Sequence, residues 1–354
     1  MRRRTIVALL VVVAIMSFVL CSAAGAAEGD EVKLETNVLR WARDNSGNAF
    51  VAIALDKGWF DEIGLKIEEI PIDADADALA AIIAGQVDIF SNYGTSVPLQ
   101  YIASGEDLTI IGGYMATGCT PIIAKKGTEW KGIRSFVGKK VASSPSSYSF
   151  TGPLLELGYD PLNDVEWVTL RTSSDGIAAV EAGEVDFAAV GTSRNYEISR
   201  LDNIEVMAYT SDIMPYYSCC RMVTTTDFLK KHPNTIKQLM KILLRAQCYY
   251  ENHKEEGMEL MAKNLAVPLD YVKAYMPNEH FRISVDPLKN QVVRGWNILD
   301  KTGFLSENAK NIKLEDHLDT SYYQEALAMA KAEYYDEDPK FYDRMEKFFA
   351  EYNR

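Results

Sequence analysis

A chain of 354 residues, 47% apolar and 25% charged, is long enough for two packed cores and has the composition of a globular protein. Its formal net charge of −13 argues against a nucleic-acid surface, because phosphates call for a basic face. The only histidine near a cysteine is His253, five residues after Cys248, so neither a metal site at ligand spacing nor any catalytic motif emerges.

In chain order, Arg2, Arg3 and Arg4 precede an apolar run from Ile6 to Leu20 and small residues from Ser22 to Ala27. This pattern predicts a secretory signal peptide over residues 1–26, cleaved near Ala24-Gly25-Ala26. The apolar run is short for a membrane span. Arg3-Arg4-Thr5-Ile6-Val7 matches a twin-arginine signal only faintly, and the large Leu20 before Cys21 disfavours lipid attachment there. Loss of the three arginines takes the net charge from −13 to −16 and predicts a soluble, exported protein. Cys119, Cys219, Cys220 and Cys248 remain. Export permits a disulfide, and Cys119 with Cys219 or with Cys220 are alternatives that spacing leaves open.

Val38 to Ala42 reads as a first strand, and Ala49 to Lys57 as a helix stopped by Gly58. Alternation from Leu65 to Ile72 predicts a second strand. Next come a helix from Asp77 to Ala84, a strand from Val87 to Phe90, and a helix with Pro98 in its first turn. Thr109 to Ala124 reads as nearly continuous strand, interrupted at Gly112, Gly113, Gly118 and Pro121, and forms a crossing into a second lobe. That lobe holds a strand at Lys140–Ser143, and a return crossing spans Val206 to Val223. Beyond Thr224 the pattern is helical, with helix starts near Pro233, Pro268 and Asp286 and a tail from Tyr322 to Tyr352 broken at Asp336–Pro339. These helices are expected to pack back on the first lobe.

The chain also repeats itself. AAIIAGQVDIF, Ala80 to Phe90, returns as AAVEAGEVDFA, Ala178 to Ala188, ninety-eight positions later with six identities. Each copy reads as a helix end, a glycine stop and a buried strand of a parallel sheet. One module used twice predicts two similar lobes with a small-molecule cleft between them. The expected boundaries are 28–116 with 222–354 for the first lobe and 117–221 for the second, joined by a two-stranded hinge.

Ala54-Leu55-Asp56-Lys57-Gly58-Trp59-Phe60 with Ile63-Gly64-Leu65-Lys66-Ile67 resembles the opening of extracytoplasmic solute-binding proteins of ABC importers, in the nitrate, sulfonate, taurine and thiamine-pyrimidine branch. Ala84-Gly85-Gln86-Val87-Asp88, Gly138-Lys139-Lys140-Val141-Ala142, Ala182-Gly183-Glu184-Val185-Asp186 and Phe228-Leu229-Lys230-Lys231-His232-Pro233 follow in family order across Val32 to Glu256. The resemblance implies an α/β, two-lobed type II periplasmic-binding fold that closes on a small solute. It also implies delivery by a monomer to a membrane permease and its ATPase, with no enzyme activity and no cofactor. Two alternatives stay open. One is a thiamine-pyrimidine-synthase-like enzyme, whose cysteine cluster Tyr217-Ser218-Cys219-Cys220-Arg221 matches only in part; the other is a solute-binding sensory protein.

Ligands of open α/β sheets sit beyond the carboxyl ends of strands, where helix N-termini offer unpaired N–H groups. Four loops meet that description: Trp41–Asn48, Ser91–Ser96, Ser144–Ser149 and Gly191–Ser193. The candidate ligand residues are Trp41, Asn92, Tyr93, Thr95, Ser144, Ser147, Tyr148, Thr192 and Ser193. Trp41 is either an apolar wall or half-buried core. Ser146 or Ser147 is also expected to cap a helix. Tyr216, Tyr217, Arg43 and Arg194 are secondary candidates, and Asp88 and Asp186 are read as structural.

Overall fold

The computed structural model describes residues 33–354. The signal peptide, its cleavage site and Cys21 lie outside the described residues. Among the described residues no helix is long and apolar enough to cross a membrane.

Among the described residues twelve strands follow one another: β1 (Val38–Arg43), β2 (Lys66–Pro71), β3 (Ile89–Phe90), β4 (Leu108–Gly113), β5 (Met115–Thr117), β6 (Pro121–Lys125), β7 (Lys140–Ala142), β8 (Glu166–Val168), β9 (Phe187–Ala189), β10 (Ile204–Tyr209), β11 (Arg221–Thr225) and β12 (Arg282–Ile283). They form two five-stranded sheets, ordered β2-β1-β3-β11-β4 and β8-β7-β9-β6-β10, and a small β5–β12 ribbon. The sheets match strand for strand. The first three of each are parallel, β1 with β2 and β3 in one and β7 with β8 and β9 in the other. The fourth strand of each, β11 or β6, runs antiparallel to both of its neighbours, so β4 and β10 point the same way as the first three.

The duplicated segments hold equivalent places in these sheets. The helices Asp75–Ile83 and Ser173–Ala182 precede Gly85 and Gly183, both in the left-handed region, and lead into β3 and β9. Left-handed backbone stops each helix within one residue, which glycine does without steric cost. The repeated aspartates also serve the same purpose. Asp88 accepts from the Arg40 N–H at 2.8 Å, and Asp186 from the Lys140 N–H at 3.0 Å, each lashing its strand to the parallel neighbour. Both copies belong to one compact unit, Glu35–Arg354, but lie in separate sheets with a cavity between them.

The first crossing departs from the expectation in detail. Gly112 and Gly113 stay inside β4, and the breaks fall after Gly113 and after Thr117. Gly113 serves close approach instead, since a Cβ there would sit 2.5 Å from Cζ of Arg221. That arginine is fully buried and donates to the carbonyls of Asp286 (2.8 Å) and Met115 (2.7 Å). The return crossing contains two non-glycine residues in the left-handed region, Tyr216 (φ 48°) and Ser218 (φ 51°). Such backbone costs about 1 kcal/mol per residue and needs neighbours to hold it.

The C-terminal helices do not pack on the first lobe alone. Helix Pro233–Asn252 does so against helix Ala49–Asp56. Helix Lys289–Lys301, however, lies on helix Tyr148–Glu156 of the second lobe, with Gly295 against the Tyr148 ring and Arg294 ion-paired to Glu156 at 2.6 Å. Tyr271 also meets Tyr196, with ring centres 5.4 Å apart, and His280 stacks on Tyr209 at 4.4 Å. The apolar faces of these helices fit surfaces on both sides, so the segment bridges the lobes.

Candidate ligand-binding cleft

Three helices aim their N-termini at one cavity of about 410 Å³. Helix Ser96–Ser104 leaves the end of β3, helix Tyr148–Glu156 the end of β7, and helix Ser173–Ala182 follows β8. Thr95, Ser147 and Thr172 occupy their N-cap positions, and all three line the cavity with the following residues Ser96, Tyr148 and Ser173. The first four N–H groups of a helix lack intrahelical partners and carry partial positive charge. Thr172 answers part of this through a capping box with Asp175. Thr95 and Ser147 make no side-chain capping bond, so their first-turn N–H groups face the space without a side-chain acceptor of their own.

The expectation that Ser146 or Ser147 caps a helix is thus corrected. Ser147 stands at the cap position but its hydroxyl accepts nothing there. The small hydroxyls bond inside the loop instead, Ser144 to Ser146 at 2.8 Å, with the Ser146 N–H donating to the Ser144 hydroxyl at 3.2 Å.

Of the nine candidate residues, Thr95, Ser144, Ser147 and Tyr148 line the cavity. Two of these spend their hydroxyls on the return crossing. Thr95 donates to the Ser218 carbonyl at 2.5 Å, and Tyr148 donates to the Tyr217 carbonyl at 2.7 Å and shares a 2.9 Å bond with the Ser218 hydroxyl. Residues from both lobes therefore clasp the strained Tyr216–Ser218 segment directly beneath the cleft.

The other five lie elsewhere. Trp41 is completely buried core, on a strand that lies inside its sheet between β2 and β3. Asn92 is buried; its amide donates to the Gly47 carbonyl and its carbonyl oxygen accepts from Ser91 at 2.9 Å. Tyr93 is buried with its hydroxyl on the Ile72 carbonyl at 2.7 Å. Thr192 is buried, and its carbonyl accepts from Asn195 at 2.7 Å. Ser193 follows it outside the cavity lining. Among the secondary candidates Tyr217 lines the cavity, whereas Arg43 pairs with Glu69 at 3.4 Å and Arg194 with Glu197 at 3.6 Å.

Sequence reading passed over Asp75, Thr169–Ser173, Thr210 and Cys219, all of which line the cavity. The repeat itself carried the signal for two of them. Asp75 and Ser173 stand ninety-eight positions apart, each the first residue of its repeat helix. Each accepts from the backbone N–H of a glycine just past its lobe's repeat strand, Gly94 to Asp75 at 3.0 Å and Gly191 to Ser173 at 3.1 Å. Glycine suits the first position because a Cβ on Gly94 would sit 2.9 Å from the Asp75 carboxylate.

Among the described residues, the charged side chains lining the cavity are Asp75 and Arg171. Burial pushes the Asp75 carboxyl up to about 6, opposed by the Gly94 N–H and helped by Asp73. Asp44 lies close enough to interact with Asp75, and burial pushes its carboxyl up to about 7 although Ser46 and Gly47 donate to it. Cys219 also faces the cavity. Its sulfur lies 3.5 Å from that of Cys220, and the hydrogen bond from Cys220 holds its thiol below the usual range, aided by Tyr217. All four described cysteines are free thiols, so neither candidate disulfide is formed. Among the described residues no group of three or more His, Cys, Asp or Glu side chains is placed to hold a metal ion.

Residues 45–257 match the family model described as NMT1/THI5 like. A protein of Bacillus subtilis (strain 168) named for binding aliphatic sulfonates is 24% identical over 261 residues, which is 71% of this chain and 76% of that protein. The solved periplasmic aliphatic sulphonate binding protein of Escherichia coli superposes with a TM-score of 0.66 at 18% identity, covering 80% of this chain and 92% of its own. The periplasmic nitrate-binding protein of Synechocystis PCC 6803 gives 0.68 at 15% identity, covering 85% and 90%. This chain therefore shares the two-lobed fold of periplasmic binding proteins.

Proposed function

Because the chain belongs to the NMT1/THI5-like family, we propose that it is the solute-binding component of an ABC import system, holding a small anionic solute in the cavity between its lobes. The observation that carries this reading is the convergence of three helix N-termini, two without side-chain caps, on a cavity that also contains Arg171. Backbone N–H groups at helix starts bind oxyanions without needing a lysine, and a guanidinium adds a planar, charge-assisted donor. The relatives named for sulfonate and nitrate binding make those two anion classes the first to try.

The lobes close over the solute, exclude water from the cleft and strengthen each of these contacts. Ligand binding shifts an open–closed equilibrium by as much as the two states differ in affinity. A permease and its ATPase then receive the closed, monomeric protein outside the cytoplasm, with residues 28–116 and 222–354 forming one lobe, apart from the helices that bridge to the other, 117–221.

A thermal-shift panel of nitrate, alkanesulfonates, taurine, aromatic acids and pyrimidines tests the reading. A solute present at a hundred times its dissociation constant adds about 2.7 kcal/mol of stability. Cys219 supplies an independent footprint, because bound solute should slow its alkylation by iodoacetamide. A panel that neither stabilises the protein nor protects Cys219, or one that is chemically converted, would count against solute capture.

A further inference from the structure

Granting the solute-binding reading, we infer that the solute is a zwitterion, its cationic nitrogen seated at Asp75 on the first lobe and its acid group at Arg171 and the helix starts of the second. Asp75 and Arg171 are the charged residues of the cavity lining, and they come from opposite lobes. Neither belongs to any ion pair among the described residues, with each other or with a third group. Arg171 makes no side-chain hydrogen bond within the described chain, whereas Asp75 accepts from the Gly94 N–H through one carboxylate oxygen.

The duplicated architecture removes the usual structural explanation for Asp75. Its duty of accepting a glycine N–H is performed at the equivalent place in the second lobe by the uncharged hydroxyl of Ser173. The fold does not require a negative charge there. A carboxylate held in a closing cleft is costly unless a cation meets it. Asp44 and Asp73 add negative potential from the same side, so an acid group of the solute is turned toward the second lobe. There the Tyr148 and Ser173 helix starts and Arg171 await it. The raised carboxyl of Asp75 is what an acid without its cation shows, and a bound ammonium would restore its charge. A cavity of about 410 Å³ also exceeds the space of a nitrate-sized ion, a water occupying about 30 Å³ of the liquid.

Calorimetric titration of the full chain with matched probes tests the assignment: 2-aminoethanesulfonate against 2-hydroxyethanesulfonate, and 3-aminopropanoate against 3-hydroxypropanoate. The amino probe of at least one pair should bind about 10- to 100-fold more tightly, the range of a charge-assisted contact. Asp75→Asn keeps an acceptor for Gly94 and should erase that preference while leaving the fold intact by circular dichroism. Arg171→Gln should weaken both members of the pair alike. Hydroxy probes that bind as well as amino probes, or a preference that survives Asp75→Asn, would overturn the zwitterion while leaving solute capture standing. If no probe binds but nitrate or an amine-free sulfonate does, the zwitterion is likewise overturned. If nothing in the wider panel binds, it is the solute-binding reading that fails.

Discussion

Each lobe carries a unit of strand, loop and helix, β1 to helix Ala49–Asp56 in the first and β7 to helix Tyr148–Glu156 in the second, and the two loops are built for different tasks. In the first lobe Asn48 caps helix Ala49–Asp56, accepting from the N–H groups of Phe50 (2.9 Å) and Val51 (3.2 Å), while the Tyr114 hydroxyl accepts from Ala49. Ser91 and Asn92 close over that loop through the Asn48 amide and the Gly47 carbonyl. This helix end is consumed by its own lobe. In the second lobe Ser147 caps nothing, and the same architectural position opens into the cavity. At the next equivalent pair the roles reverse in charge: Asp75 on the first lobe, Ser173 beside Arg171 on the second. The two lobes share one scaffold, and different residues at matched places make one wall acidic and give the other an arginine and free helix starts.

The acidic wall gives the largest expected effect. Burial raises Asp75 to about 6 and Asp44 to about 7, both above an ordinary value of 3.8. Between about pH 4 and those values the folded chain holds more protons than the unfolded chain, so stability falls as pH rises. Allowing for the solvent that reaches both groups, the fall is on the order of 3 kcal/mol by neutral pH. Urea denaturation across that window should show it in the solute-free protein, and Asp44→Asn with Asp75→Asn should flatten it. A flat wild-type profile would mean the two carboxyls are not held as described. The opposite wall is tested by arginines. Arg171→Gln should weaken binding of an anionic solute about 10- to 100-fold by calorimetry, while Arg43→Gln, whose residue serves Glu69, should leave it unchanged. Equal effects would erase the distinction between the lobes.

Much of the scaffold was legible because its signals are local. The glycine stops at Gly85 and Gly183, the alternation along β2, and the break near Pro339 each follow from a few neighbouring residues. The repeat correctly pointed to two similar sheets. The cleft was legible only where a helix start coincided with it, as at Thr95, Ser144, Ser147 and Tyr148. Asn92, Tyr93 and Thr192 also follow strands, but partners distant in sequence absorb Asn92 and Tyr93, and short local bonds fold Thr192 inward. Arg171 was overlooked because its neighbourhood comes from chain packing, and an exposed arginine beside a loop looks like any surface charge. Helix Lys289–Lys301 misled for a similar reason: its amphipathic pattern specifies a buried face without naming the lobe that buries it.

The smallest expected effect separates capping from binding at the two loops. Asn48→Ala removes two hydrogen bonds to the first turn of its helix and leaves Ser91 without the Asn48 amide. Lost caps of this kind cost about 1 kcal/mol, which in a chain this size lowers Tm by about 1–2 °C. Because that helix end lies outside the cavity lining, solute affinity should be nearly unaffected. Ser147→Ala removes a hydroxyl that caps nothing, so the stability of the solute-free protein should stay within about 0.5 kcal/mol of wild type. It should nonetheless weaken binding by about 1 kcal/mol if the hydroxyl donates to the solute. Differential scanning calorimetry with and without saturating solute reads both variants at once. A crossed result, stability lost at Ser147 and binding lost at Asn48, would place the working helix end on the first lobe and invert the assignment of the two walls.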